Sequence, residues 1–216
     1  MTRRLLLLWL VTLSLAHAEP RKEFFMAVQQ GQTEKAERLL AIHPEFLEAQ
    51  LFDGLHPLFQ ASHLDRLEMV NLLLARGARV NATTRRGSTA LHAAANRGSE
   101  TILALLLENG ADPNLRNGRG QTPLVVAVNR RHLAIVQQLL VHHADPNLAD
   151  QNGRTPLHQA AGLGEPKLVQ LLVEAGAAVN PEDNQGHTPL GLTRLLKNNS
   201  WGDVGGYLEG QGGLDH

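Results

Sequence analysis

Gly153-Arg154-Thr155-Pro156-Leu157-His158-Gln159-Ala160-Ala161 decides how this chain folds. Threonine ahead of proline reads as a helix start: the hydroxyl caps a free backbone N–H, and the fixed φ of proline suits the first turn, where its missing N–H costs nothing. The alanine pair that follows lets a neighbouring helix come close. Outward from this stretch the same pattern returns. Glycine recurs at Gly54, Gly87, Gly120, Gly153 and Gly186, a step of 33 residues each time. Two residues after each stands His56-Pro57-Leu58, Thr89-Ala90-Leu91, Thr122-Pro123-Leu124, Thr155-Pro156-Leu157 or Thr188-Pro189-Leu190. A fixed period of this length marks stacked supersecondary units, each too small to bury its own core.

The rest of each unit keeps the phase. Small residues follow at Ala61-Ser62, Ala94-Ala95, Ala127-Val128 and Ala160-Ala161. Leucine-rich stretches such as Leu72-Leu73-Leu74 and Leu105-Leu106-Leu107 come next, and the units close at Asn81, Asn114, Asn147 and Asn180. Gly77, Gly110 and Gly176 end the second helix of a unit in the left-handed conformation. His143 holds that place in one unit, and Asp65, Arg131 and Lys197 stand where Gly98 and Gly164 occupy the turn between helices. With these motifs in place, the sequence resembles the ankyrin repeat family. The resemblance implies an all-α repeat solenoid, with stacked helix-turn-helix units joined by short β-hairpin loops. Residues 19–50 read as an N-terminal capping unit, 51–182 as four repeats, 183–209 as a degenerate C-terminal capping repeat and 210–216 as a flexible tail.

Residues 1–18 stand apart. Arg3 and Arg4 precede an apolar run from Leu5 to Leu15 that ends in Ala16-His17-Ala18. This is the pattern of a secretory signal peptide cut after Ala18. The run is too short for the ~20 residues of a membrane span, so no stable membrane insertion is expected after cleavage. The chain has no cysteine, which excludes disulfides, thiolate metal sites and thiol nucleophiles. Export without cysteine points to a periplasmic or secreted protein, and the chain is expected to be a monomer. Loss of Arg3 and Arg4 leaves 18 basic against 21 acidic side chains, a net charge of −3.

The sequence holds 11 histidines. His92 and His158 lie two repeats apart, some 16 to 20 Å at ~8 to 10 Å per helix layer, too far to share an ion with bonds of about 2 Å. Each is expected to hydrogen-bond the turn of an adjacent unit. No His-Glu-x-x-His, Gly-x-Ser-x-Gly or phosphate-cradling loop is present, so neither an enzyme nor a cofactor is expected.

A recognition surface remains. The resemblance implies a concave face built from the hairpin tips and the ends of the first helices. In units three to five those positions carry Arg85, Arg86, Arg97, Arg119, Arg130 and Arg154 among neutral residues, with no acid. In unit two they carry Phe52, Asp53, Leu55, His63 and Leu64, so an apolar edge adjoins the basic stretch. Arginine suits bidentate pairing with carboxylates at interfaces. The expectation is a protein partner with an acidic patch, held by the six arginines with Phe52, Leu55 and Leu64 as apolar anchors; the bland alternative is a solvated charged face. Nucleic acid is not expected, because residues 60–200 contain no Phe, Trp or Tyr on which bases could stack. The resemblance also implies a neighbouring enzyme as partner, since small exported bacterial proteins of that family are often associated with one, protecting it, as with catalases, or inhibiting it, as immunity proteins do with secreted toxins.

Overall fold

The computed structural model describes residues 19–50, 54–195 and 201–214. The expected signal peptide, Phe52 and Lys197 lie outside the described residues. Residues 19–30 form α1, followed by α2 (Thr33–Ile42) and a 3-10 turn at Pro44–Glu48. Paired helices then repeat along the chain: α3 (Pro57–His63) with α4 (Leu67–Ala75), α5 (Ala90–Arg97) with α6 (Glu100–Glu108), α7 (Pro123–Asn129) with α8 (Leu133–Val141), and α9 (Pro156–Leu163) with α10 (Pro166–Glu174). The last pair is α11 (Pro189–Leu195) with α12 (Trp201–Gly210). Odd-numbered helices from α3 to α11 stack on one another as an inner layer, and α4 to α12 form the outer layer.

Four of the five inner helices, α5 to α11, start at a threonine cap, while α3 follows His56 without a side-chain cap. Thr89, Thr122, Thr155 and Thr188 accept from the backbone N–H three residues on, at 3.4, 3.3, 3.4 and 3.1 Å. The inner helices approach closely because Ala61, Ala94, Ala95, Ala127, Ala160 and Ala161 are wholly buried and offer only a methyl group to the contact. Leucines fill the space between layers, with Leu103, Leu106, Leu139 and Leu172 fully enclosed. The N-terminal unit uses aromatics instead: Phe24 packs on Phe25 and Phe46 with ring centroids 5.8 Å apart in both cases.

The linking loops are hairpin turns with no strand among the described residues. Thr84 N–H donates to Ser88 O, and Asn117 to Gln121, Asp150 to Arg154 and Asp183 to His187 do the same. The next residue in each case is already the threonine cap, so no length remains for a ladder. The tips are stitched across units by Gly118 N–H to Arg86 O, Gln151 N–H to Arg119 O and Asn184 N–H to Asn152 O, at 2.7, 3.1 and 2.9 Å. Glycine at the tip is required twice over. Gly120 has φ +72°, and a Cβ there would lie 2.8 Å from the Gln151 backbone nitrogen.

A second seam joins the outer edge. Asn81, Asn114 and Asn147 each donate to the carbonyl of Gly110, His143 and Gly176 and accept from the N–H two residues beyond, at 2.7–3.2 Å. Asn180 makes the same pair of bonds to Gly212 O and Leu214 N–H. Where the sequence reading expects a flexible tail from residue 210, the described part up to Leu214 therefore takes the place of a further unit's turn, and Thr188 Oγ1 also donates to Leu214 O. Val204 and Leu208 are fully buried in the same end.

Candidate functional site

The tips that carry the site are shaped by a column of side chains three residues before the glycine. Asn117 Oδ1 accepts from Arg119 and Gln121 N–H, Asp150 Oδ1 from Asn152 and Arg154 N–H, and Asp183 Oδ1 from Gln185 and His187 N–H. Thr84 Oγ1 takes Ser88 N–H. These bonds fix the backbone of the residues that face outward. Asp183 is buried, which alone would raise its pKa; the two backbone N–H groups, the Arg154 guanidinium and His187 outweigh burial and hold it below the usual carboxylate value.

Between tips and inner helices lies a groove of about 810 Å³ whose charged lining is Arg86, Arg119 and Arg130, set among Ser88, Asn96, Gln121 and Asn129. No carboxylate lines it. Arg130 is exposed, and its Nε donates to Asn96 Oδ1 at 2.8 Å. Arg86 and Arg119 are exposed and have no ion pair among the described residues. The structure thus brings three of the six anticipated arginines together. Arg85 and Arg97 are exposed outside the lining. Arg154 is held elsewhere, its Nε donating to the buried Asp183 carboxylate at 3.1 Å, so its charge is neutralised within the protein.

The apolar edge is also present. Leu55, Phe59 and Leu64 enclose a hollow of about 330 Å³ with Gln29, Gln60 and His63. Phe59 and His63 line the basic groove as well, stacked with ring centroids 6.1 Å apart and planes inclined by 8°, so hollow and groove adjoin at this ring pair. Phe59 stands at the position that His92 and His158 hold in units three and five, and is not among the expected site residues. The signal was available: an aromatic side chain at the third helical residue cannot make the histidine's hydrogen bonds and is left free to face the groove.

His92 and His158 do make those bonds. Nδ1 of each accepts from the N–H of its threonine cap, at 3.2 and 3.1 Å, and Nε2 donates to Gln121 O or His187 O of the next tip at 2.9 Å. This pattern requires the neutral Nε2–H tautomer. Burial lowers the pKa of both, and the bond to the next tip only partly offsets it. Burial likewise lowers His56, where Glu48 opposes the shift. Among the described residues, no three His, Asp or Glu side chains are placed to hold a metal ion, and no helix is long and apolar enough to cross a membrane.

A family model described as ankyrin repeats in three copies matches residues 24–117 and 124–193. A search of curated proteins returns no match.

Proposed function

The chain belongs to the ankyrin repeat family, whose repeats are protein-interaction modules, and from that premise we propose that it is a non-enzymatic binding protein that docks an acidic surface of a protein partner in its concave face. The observation that carries this reading is the groove itself: three arginines and no carboxylate line it, on a chain of nearly balanced charge. Guanidinium groups that are exposed and held in no ion pair offer donors to carboxylates, and neighbouring asparagine, serine and glutamine side chains supply further donors at the rim. The arginines lie on three different elements: the tip before α5, the tip before α7 and the end of α7. A rigid stack therefore holds their spacing, so less ordering entropy is lost on binding.

The sequence pattern of residues 1–18 supports export, and with it a periplasmic site of action. Within that setting the partner is an exported enzyme, which the chain protects or assists, as family members do with catalases; inhibition of a secreted toxin is the second reading, and the same acidic docking serves both. The test is capture from periplasmic extract by the immobilised chain and by a form carrying Arg86→Glu, Arg119→Glu and Arg130→Glu. Loss of the captured protein with an unchanged thermal melt supports the reading. Equal capture by both forms rejects the face.

A further inference from the structure

We infer that the occupant of the groove is an extended segment of the partner with one large apolar side chain followed, about three and six residues away, by acidic ones. This rests on the reading of the groove as a docking site and specifies what docks. Three features carry it. The apolar hollow of Leu55, Phe59 and Leu64 adjoins the basic groove at Phe59 and His63, which line both, so a single ligand lying across that ring pair can reach both. The apolar side chains of the hollow belong to α3 and its flanks, with Gln29 of α1 at its edge, Arg86 belongs to the tip before α5, and Arg119 and Arg130 to the tip and end of α7, so the features fall on three successive layers of the stack. Their order is apolar, basic, basic.

The register follows from two spacings. Neighbouring inner helices are ~8 to 10 Å apart. An extended peptide advances ~3.3 Å per residue, which is about three residues per layer. An anchor in the hollow therefore places the third residue on from it at Arg86 and the sixth at Arg119 and Arg130. Phe59 is the residue that makes the anchor site. At the equivalent position His92 and His158 are spent on hydrogen bonds to the next tip and Val125 is buried, whereas Phe59 is partly exposed and faces both cavities.

The experiment is fluorescence anisotropy of the full chain with three labelled heptapeptides of one composition: Phe-Gly-Ser-Glu-Gly-Ser-Glu, its reverse, and the shuffled Phe-Glu-Glu-Gly-Ser-Gly-Ser. One of the two spaced peptides is expected to bind at least about tenfold more tightly than the shuffled one, and replacing its Phe by Ala is expected to remove most of that advantage. Leu64→Lys in the protein should abolish the preference while leaving the weak charge-driven binding of all three. Equal binding of spaced and shuffled peptides overturns the register but leaves the basic docking face standing. If no acidic peptide binds the wild-type chain but an acidic partner is still captured through the arginines, the occupant is a folded surface and this inference fails alone. If binding is unaffected by Arg86→Glu with Arg119→Glu, the docking face fails with it.

Discussion

Units three and five of the stack differ from units two and four in how they secure their inner helices. In the former, Thr89 and Thr155 form closed capping boxes with His92 and His158, and Gly98 and Gly164 make the turn between helices with φ +83° and +67°. In the latter, Phe59 and Val125 take the histidine position, and Asp65 and Arg131 hold the turn at φ +57° and +59°, where an L side chain is strained. Unit four adds His143 at φ +64° at the end of its outer helix. The alternation shows that local perfection is not uniform along the solenoid: two well-capped layers flank and support the strained layer of α7. It also shows what the departures release. The position freed from hydrogen bonding in unit two becomes the aromatic wall of the groove.

Breaking a box should have the largest effect. His158→Ala leaves Thr155 N–H and His187 O without their partner and opens space at a site with no solvent exposure, so the unfolding free energy measured in urea should fall by about 2–4 kcal/mol. Thr122→Ala in unit four, which has a hydroxyl cap but no imidazole bridge, should cost only about 1 kcal/mol. Equal losses would remove the distinction between the two kinds of unit.

Exchanging turn residues between the two kinds of unit should have the next largest effect. Gly98→Asp should destabilise by about 1–2 kcal/mol, because φ is +83° and a Cβ there would stand 2.9 Å from the His132 ring. Asp65→Gly and His143→Gly should each stabilise by roughly 0.5–1 kcal/mol, and their sum should hold in the double variant since the sites are far apart. A lower urea midpoint for either single variant would contradict the strain.

The capping boxes also predict a pH dependence. His92 and His158 are folded neutral with pKa values below that of the unfolded chain. Their contribution is therefore complete above about pH 6.5 and is lost progressively as pH falls below it, because the unfolded state takes up protons that the folded state refuses. Thermal midpoints recorded from pH 7.5 down to about pH 5 should decline, and the decline should shrink in a His92→Gln, His158→Gln variant. The smallest effect on stability belongs to the groove: Arg86→Glu and Arg119→Glu should change it by no more than about 0.5 kcal/mol, since both side chains are exposed and unpaired.

The fold was legible in the sequence because helix caps, turn glycines and the alanine pair are local rules repeated at fixed spacing. Phase alone then identified which residues share a layer. The groove was legible in part. Column positions picked out Arg86, Arg119, Arg130, Leu55 and Leu64, but periodicity cannot see a partner supplied by the next unit, and so it did not foresee Asp183 holding Arg154. For the same reason the asparagine seam was visible as a column without its purpose, and the docking of Gly212 and Leu214 onto Asn180 was not visible, because the tail that mimics a repeat lacks a repeat's sequence.

The proposed function requires that binding reside in the arginines of the groove and not in positive charge generally. Isothermal titration of short poly-L-glutamate tests it most directly, comparing the wild-type chain with an Arg86→Glu, Arg119→Glu, Arg130→Glu variant and with a variant of equal charge change at the exposed Arg38, Arg76 and Arg79. Binding by the wild type and by the second variant, with loss in the first, is the predicted result. Equal loss in both variants, or loss in neither, would contradict the account.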